Sequence, residues 1–495
     1  MNHLSAKITM MKHVLVATLF CALPPTITAQ ETQDPSNNLP ELGDSSARFL
    51  SPAQERDIGQ QFLQRLLRDR GYISDPELRA YLNDLGNEIA SHTDLLGVRP
   101  EFNLIESSDL NAFAVPGGYI TFHTGLVLET EDENELAAVV GHEIAHLTQR
   151  HLPRLIAKTE AAKLPTTAAV LASILVGGQA GLAGLTLANA QLISSQLAYT
   201  REFEREADAL GIRYLASAGF DPSAMAGFFG KIERYSRAQN EQSREFLRTH
   251  PLSYIRIAES ESRANQYPSG TPRKPSLKYA YAKAKIRALH TDRRKIGETQ
   301  KFFQSAIETA ESDTQKAVAF YGLALTELRA RNLEAAKLNI ASAAAISTDR
   351  VSVDIANASI LNQSGDHQSA VTLLEALRQS YPAKTFIIPY LANSYILNGH
   401  PEKAKALVRY QLRREKDDFR LYRPLSRANV AMNRLAEAHQ ADAEYLAGQG
   451  AFKTAKRALE LALKESEPDS YLSKSIESRL MQVSTLLSAQ QKRSR

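Results

Sequence analysis

Apolar residues recur at three-to-four spacing soon after residue 50, the pattern of a helix with one buried face. Ser51-Pro52 reads as a cap followed by proline at the first helical position, and Ile58, Phe62, Leu66 and Leu67 form the stripe behind it. A second helix is expected over Glu77 to Ala90, with Leu78, Leu82, Leu85 and Ile89 on one side. The period then shortens. Phe102 to Ile105 reads as a strand, and Asn111 to Val115 and Tyr119 to Phe122 as two more around the Pro116-Gly117-Gly118 turn. A strong helix follows from Glu133 to about Arg150, its acidic first turn suiting the positive end of the helix dipole. The expected fold class is mainly α: an α+β domain with a small β-sheet over residues 47–266, then a helical solenoid over 279–495.

The solenoid is read from a repeat. Ala336, Ala370, Ala404 and Ala438 are spaced by 34 residues. Five positions before each stand Arg331, Gly365, Gly399 and Asn433, residues suited to a tight turn, and twelve before each stand the small Ala324, Ala358, Ala392 and Ser426. Gly297 extends the register one step earlier. A 34-residue period with small residues where paired helices meet resembles the tetratricopeptide repeat, though its usual early Trp is missing. Tyr471 to Leu487 is expected to cap the array, and Tyr267 to Lys278, with three prolines and a glycine, to link it to the first domain. Residues 164–198 stand apart: no charge occurs from Leu164 to Thr200. Gln179, Asn189, Gln191 and Gln196 interrupt the stretch, which favours a helical hairpin that can touch a membrane surface over one that spans it.

At 495 residues the chain is too long for one core, and 59 basic against 55 acidic residues, well mixed, argue against nucleic acid as a partner. Lys7 and Lys12 precede an apolar run from Val14 to Leu23, and Ala29-Gln30 offers a cleavage point, so residues 1–29 read as a secretory signal and 30–46 as a polar leader. The lone Cys21 falls inside that signal. Bulky Phe20 before it disfavours lipidation, and the mature chain would hold no thiol.

The chemistry is concentrated in Gly141-His142-Glu143-Ile144-Ala145-His146. Residues four apart share a helix face, so His142 and His146 can hold one zinc ion while Glu143 takes a proton from water at the same place. A third protein ligand is required. No third histidine follows at metzincin spacing, whereas Glu202, Glu204, Glu206 and Asp208 cluster on a later helix. Glu204 and Asp208 lie on one face, where one can bind metal and the other orient a ligand. No glycine loop for phosphate chemistry occurs.

Together, His142-Glu143-x-x-His146 and Glu204-x-x-x-Asp208 resemble the HtpX and CAAX-prenyl-protease superfamily of zinc metallopeptidases. With a signal and repeats added, the chain resembles the periplasmic β-barrel assembly-enhancing proteases. The resemblance implies one zinc per chain, held by His142, His146 and Glu204, with Glu143 as catalytic base and Asp208 as supporting acid or proton donor. It implies that Asn111, Ala112, Phe113 and Ala114 form a substrate edge strand. It suggests that His250 is a fourth ligand or oxyanion stabiliser, with Arg256 acting on the same charge; the competing reading of His250 is a capping or core histidine. His123 and His151 are read as structural or surface residues. The implied role is a periplasmic endopeptidase acting on unfolded or stalled envelope proteins, recruited to outer-membrane assembly machinery through the repeats. A chaperone or scaffold with latent proteolysis is the alternative.

Overall fold

The Ser51 hydroxyl accepts from the Gln54 backbone N–H while the Gln54 side chain accepts from the Ser51 N–H, and this reciprocal cap starts α1 (Pro52–Leu66). The computed structural model describes residues 50–95, 97–158, 201–237, 243–268, 273 and 276–493. The expected signal (1–29), leader (30–46) and uncharged stretch (164–198) lie outside them. Asp75 caps α2 (Pro76–Ala90) by accepting from the Glu77 and Leu78 N–H groups.

β1 (Glu101–Ile105), β2 (Ala112–Val115) and β3 (Tyr119–His123) form a sheet in the order β1-β3-β2. β1 runs parallel to β3, with Phe102 opposite Ile120, and β2 runs antiparallel to it, with Ala114 opposite Ile120. Gly117 and Gly118 both take positive φ (91° and 95°), which makes the tight β2–β3 reversal possible. Phe102, Leu104, Ala112, Ala114, Ile120 and Phe122 of the sheet enter the main core, while Phe113 and Val115 pack with Phe62 and Leu66 of α1.

The core centres on α4 (Glu133–Thr148), reached through α3 (Thr124–Glu129). Every α4 residue from Glu133 to His146 is buried, so this helix is hydrophobic where it packs and functional where it is not. It stops at Arg150, which adopts φ 50°, and the chain turns into α5 (His151–Lys158). Among the described residues four further helices follow in this part: α6 (Arg201–Ser217), α7 (Ala224–Arg237), α8 (Ser243–Thr249) and α9 (Tyr254–Ala264).

α10 (Leu277–Leu289) is shared between two cores. Its Tyr279, Ala282 and Ile286 belong to the core around α4, and its Tyr281, Ala284 and Ala288 to that of the helices that follow. Those are α11 (Ile296–Glu308), α12 (Asp313–Arg329), α13 (Leu333–Ile346), α14 (Arg350–Gln363), α15 (His367–Ser380), α16 (Ile388–Leu397), α17 (Pro401–Arg414), α18 (Tyr422–Ala431), α19 (Leu435–Gly448), α20 (Phe452–Lys464) and α21 (Tyr471–Arg493). From α12 onward consecutive helices pack on one another. Arg331, Gly365, Gly399 and Asn433, picked out by the repeat, take φ of 65°, 85°, 76° and 56° between paired helices. The eight small residues of the repeat are all buried. Gly297 departs from the register: it sits in the first turn of α11, behind a turn capped by Asp292, and needs no left-handed backbone. No helix among the described residues is long and apolar enough to cross a membrane.

Candidate metal centre

α4 and α6 cross at glycines. A Cβ on Gly141 would stand 3.2 Å from the Gly211 carbonyl oxygen, and one on Gly211 3.1 Å from the His142 nitrogen. This close approach sets Glu204, two turns before Gly211, against His142 and His146. The C-terminal end of α8 brings His250 to the same place, its N–H donating to the Phe246 carbonyl.

Four donor atoms converge: His142 Nε2, His146 Nε2, a Glu204 carboxylate oxygen and His250 Nδ1, all buried. His142 Nε2 lies 3.0 Å from His146 Nε2, 3.3 Å from His250 Nδ1 and 3.6 Å from Glu204 Oε2. Glu204 Oε1 lies 3.5 Å from His146 Nε2 and 3.2 Å from His250 Nδ1. A tetrahedral ion with bonds of 2.0–2.1 Å requires ligand separations of about 3.3 Å. With Glu204 Oε1 as the carboxylate ligand, four of these separations (3.0, 3.3, 3.5 and 3.2 Å) are edges around that value, so the residues fit a small divalent cation. Two imidazole Nε2 lone pairs facing each other at 3.0 Å are electrostatically unfavourable unless a proton or a cation lies between them.

The field points the same way. Burial opposes charge on His142, yet Asp208 and Glu204 outweigh it and push its pKa up to about 10. A pocket that holds a proton this strongly attracts a cation in its place, and binding would release that proton. Burial and the neighbouring His142 hold His146 well below its usual range. Burial would raise the Glu204 carboxyl, but His250, Arg256 and His142 pull it far down.

Asp208 Oδ1 lies 3.0 Å from His142 Nδ1, off the line of an ideal hydrogen bond. Arg256 holds it by a two-pronged contact, Nε to Oδ2 at 2.7 Å and Nη2 to Oδ1 at 2.8 Å. The same guanidinium reaches Glu204 Oε2 and the Pro251 carbonyl, both at 2.8 Å, and rests on the Phe229 ring. These contacts direct Arg256 at the two acids.

Glu143 is fully buried, and neither carboxylate oxygen has a hydrogen-bond partner among the described residues. Burial raises its pKa; the Ala114 N–H on β2 eases that slightly without reaching hydrogen-bond geometry. His250 Nε2 stands 3.5 Å from Glu143 Oε1. Among the described residues β2 pairs with β3 alone and forms the sheet edge, its residues all buried; Asn111 precedes it, and its carbonyl accepts from the His123 N–H. His123 is buried edge-on to Phe113.

His151 stays outside the four donors, buried as a structural residue, but lies against one of them. Its Nδ1 is 2.7 Å from His146 Nδ1, and its Nε2 is 3.1 Å from Glu206 Oε2. Helical spacing could not find it, because five residues along one helix point elsewhere; the left-handed Arg150, pinned by Glu55 and the Leu50 carbonyl, redirects the chain.

Residues 76–264 match peptidase family M48. The chain is 30% identical over 428 residues to the beta-barrel assembly-enhancing protease of Escherichia coli (strain K12), covering 86% of each chain. The chain belongs to peptidase family M48. Over 287 residues it is 37% identical to the beta-barrel assembly-enhancing protease of Yersinia pestis, covering 56% of this chain and 58% of that one. It is 30% identical over 230 residues to mitochondrial metalloendopeptidase OMA1 of Schizosaccharomyces pombe, covering 46% and 64%. As an M48 peptidase the protein is a metalloprotease, and it carries the buried His and Glu donor group such an enzyme requires.

Proposed function

We propose that this protein is a zinc-dependent endopeptidase of the periplasm that acts on unfolded or stalled outer-membrane proteins and assists their assembly. The observation that carries the chemistry is the set of four donor separations close to a tetrahedral edge. His142, His146 and Glu204 would hold the ion, and imidazole with carboxylate favours zinc while admitting manganese or cobalt in vitro. The ion supplies a Lewis acid that lowers the pKa of bound water. Glu143 accepts the proton of the attacking water and passes it to the leaving amine, a role suited to its raised pKa. Asp208, clamped by Arg256, orients His142. An extended substrate would add to β2 through backbone hydrogen bonds.

The destination rests on the signal read in residues 1–29, and the client class on the name shared by the relatives that match most of the chain. The catalytic domain spans 47–266, the link 267–278, and 279–495 forms tetratricopeptide-like repeats that recruit clients and assembly machinery. Residues 164–198 provide a peripheral membrane contact. The test compares the zinc-loaded mature chain with Glu143→Gln on an unfolded β-barrel protein. Cleavage by the wild type alone supports the proposal, and equal rates overturn it.

One observation favours a second role as a chaperone with latent proteolysis: His250 Nδ1 takes the fourth apex, where a water would have to enter. Full complementation of envelope function by Glu143→Gln would show that binding carries the role.

A further inference from the structure

We propose that His151 and Glu206 are positioning residues that lock His146 in the tautomer able to bind metal. The proposal rests on the assignment of His146 as a ligand. His146 Nε2 is the atom facing His142 and Glu204, so its lone pair must be free for the ion and its proton must sit on Nδ1. That Nδ1–H meets His151 Nδ1 at 2.7 Å, which must therefore accept. His151 then carries its own proton on Nε2, and this donates to Glu206 Oε2 at 3.1 Å. Each nitrogen in the chain has one consistent role, running from ion to carboxylate through two imidazoles.

The outer end is fixed as well. Arg154 Nη1 donates to the same Glu206 oxygen at 3.0 Å, and its guanidinium lies over the Phe203 ring. His151 stacks on that ring at 4.6 Å with the planes 10° apart, which sets the plane in which its nitrogens point. Phe203 and Glu206 flank Glu204 on α6, so the helix that supplies the carboxylate ligand also orients the histidine ligand facing it. Metal-ligating histidines commonly donate their second N–H to such a partner, and losing it lowers affinity roughly 10–100-fold.

The test measures zinc dissociation constants by chelator competition, on protein whose fold is checked by circular dichroism, together with the visible spectrum of the cobalt form. His151→Ala removes the acceptor, whereas His151→Asn keeps an oxygen near the position of Nδ1. The expected result is zinc binding weakened 10–100-fold in His151→Ala, largely restored in His151→Asn, with a shifted cobalt band in the first. Glu206→Ala should weaken binding several-fold, and the double variant His151→Ala/Glu206→Ala should bind no worse than His151→Ala, because the two act in series. Folded His151→Ala within twofold of wild type, or equal losses in the Ala and Asn variants, would overturn the relay alone. A wild type that binds no zinc would instead remove the metal assignment beneath it.

Discussion

Glu143 combines full burial with two carboxylate oxygens that find no hydrogen-bond partner among the described residues, an expensive arrangement for a structural residue. Glu143→Gln is therefore expected to keep its metal and a melting temperature no lower than wild type, while kcat/KM falls about 10²–10⁴-fold. Calorimetry and a peptide cleavage assay read both. His250→Ala should open the fourth apex and raise turnover on a short unfolded substrate; a tenfold fall would instead assign His250 to oxyanion stabilisation. Helical spacing put His142 and His146 on one face and the acidic cluster offered Glu204 or Asp208 as a partner, whereas the choice of Glu204 and the candidacy of His250 came from the family resemblance. His151 was not legible, since its place depends on the left-handed turn at Arg150, and a non-glycine residue there gives no signal in the sequence. Arg256 was noticed, but its commitment to Asp208 and Glu204 depends on how α9 packs, which spacing does not encode.

Among the elements, the crossing of α4 and α6 decides whether ligands from two helices meet. Gly211→Val would drive a side chain into Met225 and the His142 backbone, and overpacking of this kind costs about 1–3 kcal/mol. The expected outcome is a destabilised chain whose zinc affinity falls as well, read by denaturation and chelator competition. Valine at the exposed and unhindered Gly227 should change neither affinity nor, beyond helix propensity, stability. Boundaries of α1, α2 and the strands followed their caps and apolar periods to within a residue. The repeats were legible for a sharper reason: a left-handed residue and a pair of small contacts recur together every 34 positions. What the pattern left unread was α10, which begins inside the expected linker at Leu277 and has two apolar faces that each serve a different core.

The repeat array is fastened to the rest of the molecule by buried charge. Lys285 of α10 lies 2.8 Å from Asp75 Oδ2 and 2.7 Å from Glu77 Oε2, and the Tyr390 hydroxyl of α16 donates to Asp75. Lys285→Ala strands two acids and should cost about 3–5 kcal/mol, whereas Arg79→Ala, which breaks the more exposed pair with Asp418, should cost about 1 kcal/mol or less. Burial opposes the charge on Asp75, but Lys285 outweighs it and lowers its pKa, so its stabilising contribution is present above the unfolded value of about 4 and lost as pH falls through the lower folded one. The stability gap between wild type and Asp75→Asn should accordingly be full at pH 7 and shrink below about pH 4. The central claim, one ion held by residues from α4, α6 and the end of α8, is tested most directly by metal analysis joined to X-ray absorption at the zinc edge. One zinc per chain with nitrogen and oxygen neighbours at about 2.0–2.1 Å, lost in both His146→Ala and Glu204→Ala, is the predicted result. Full zinc occupancy in either variant, or none in the wild type, would contradict it.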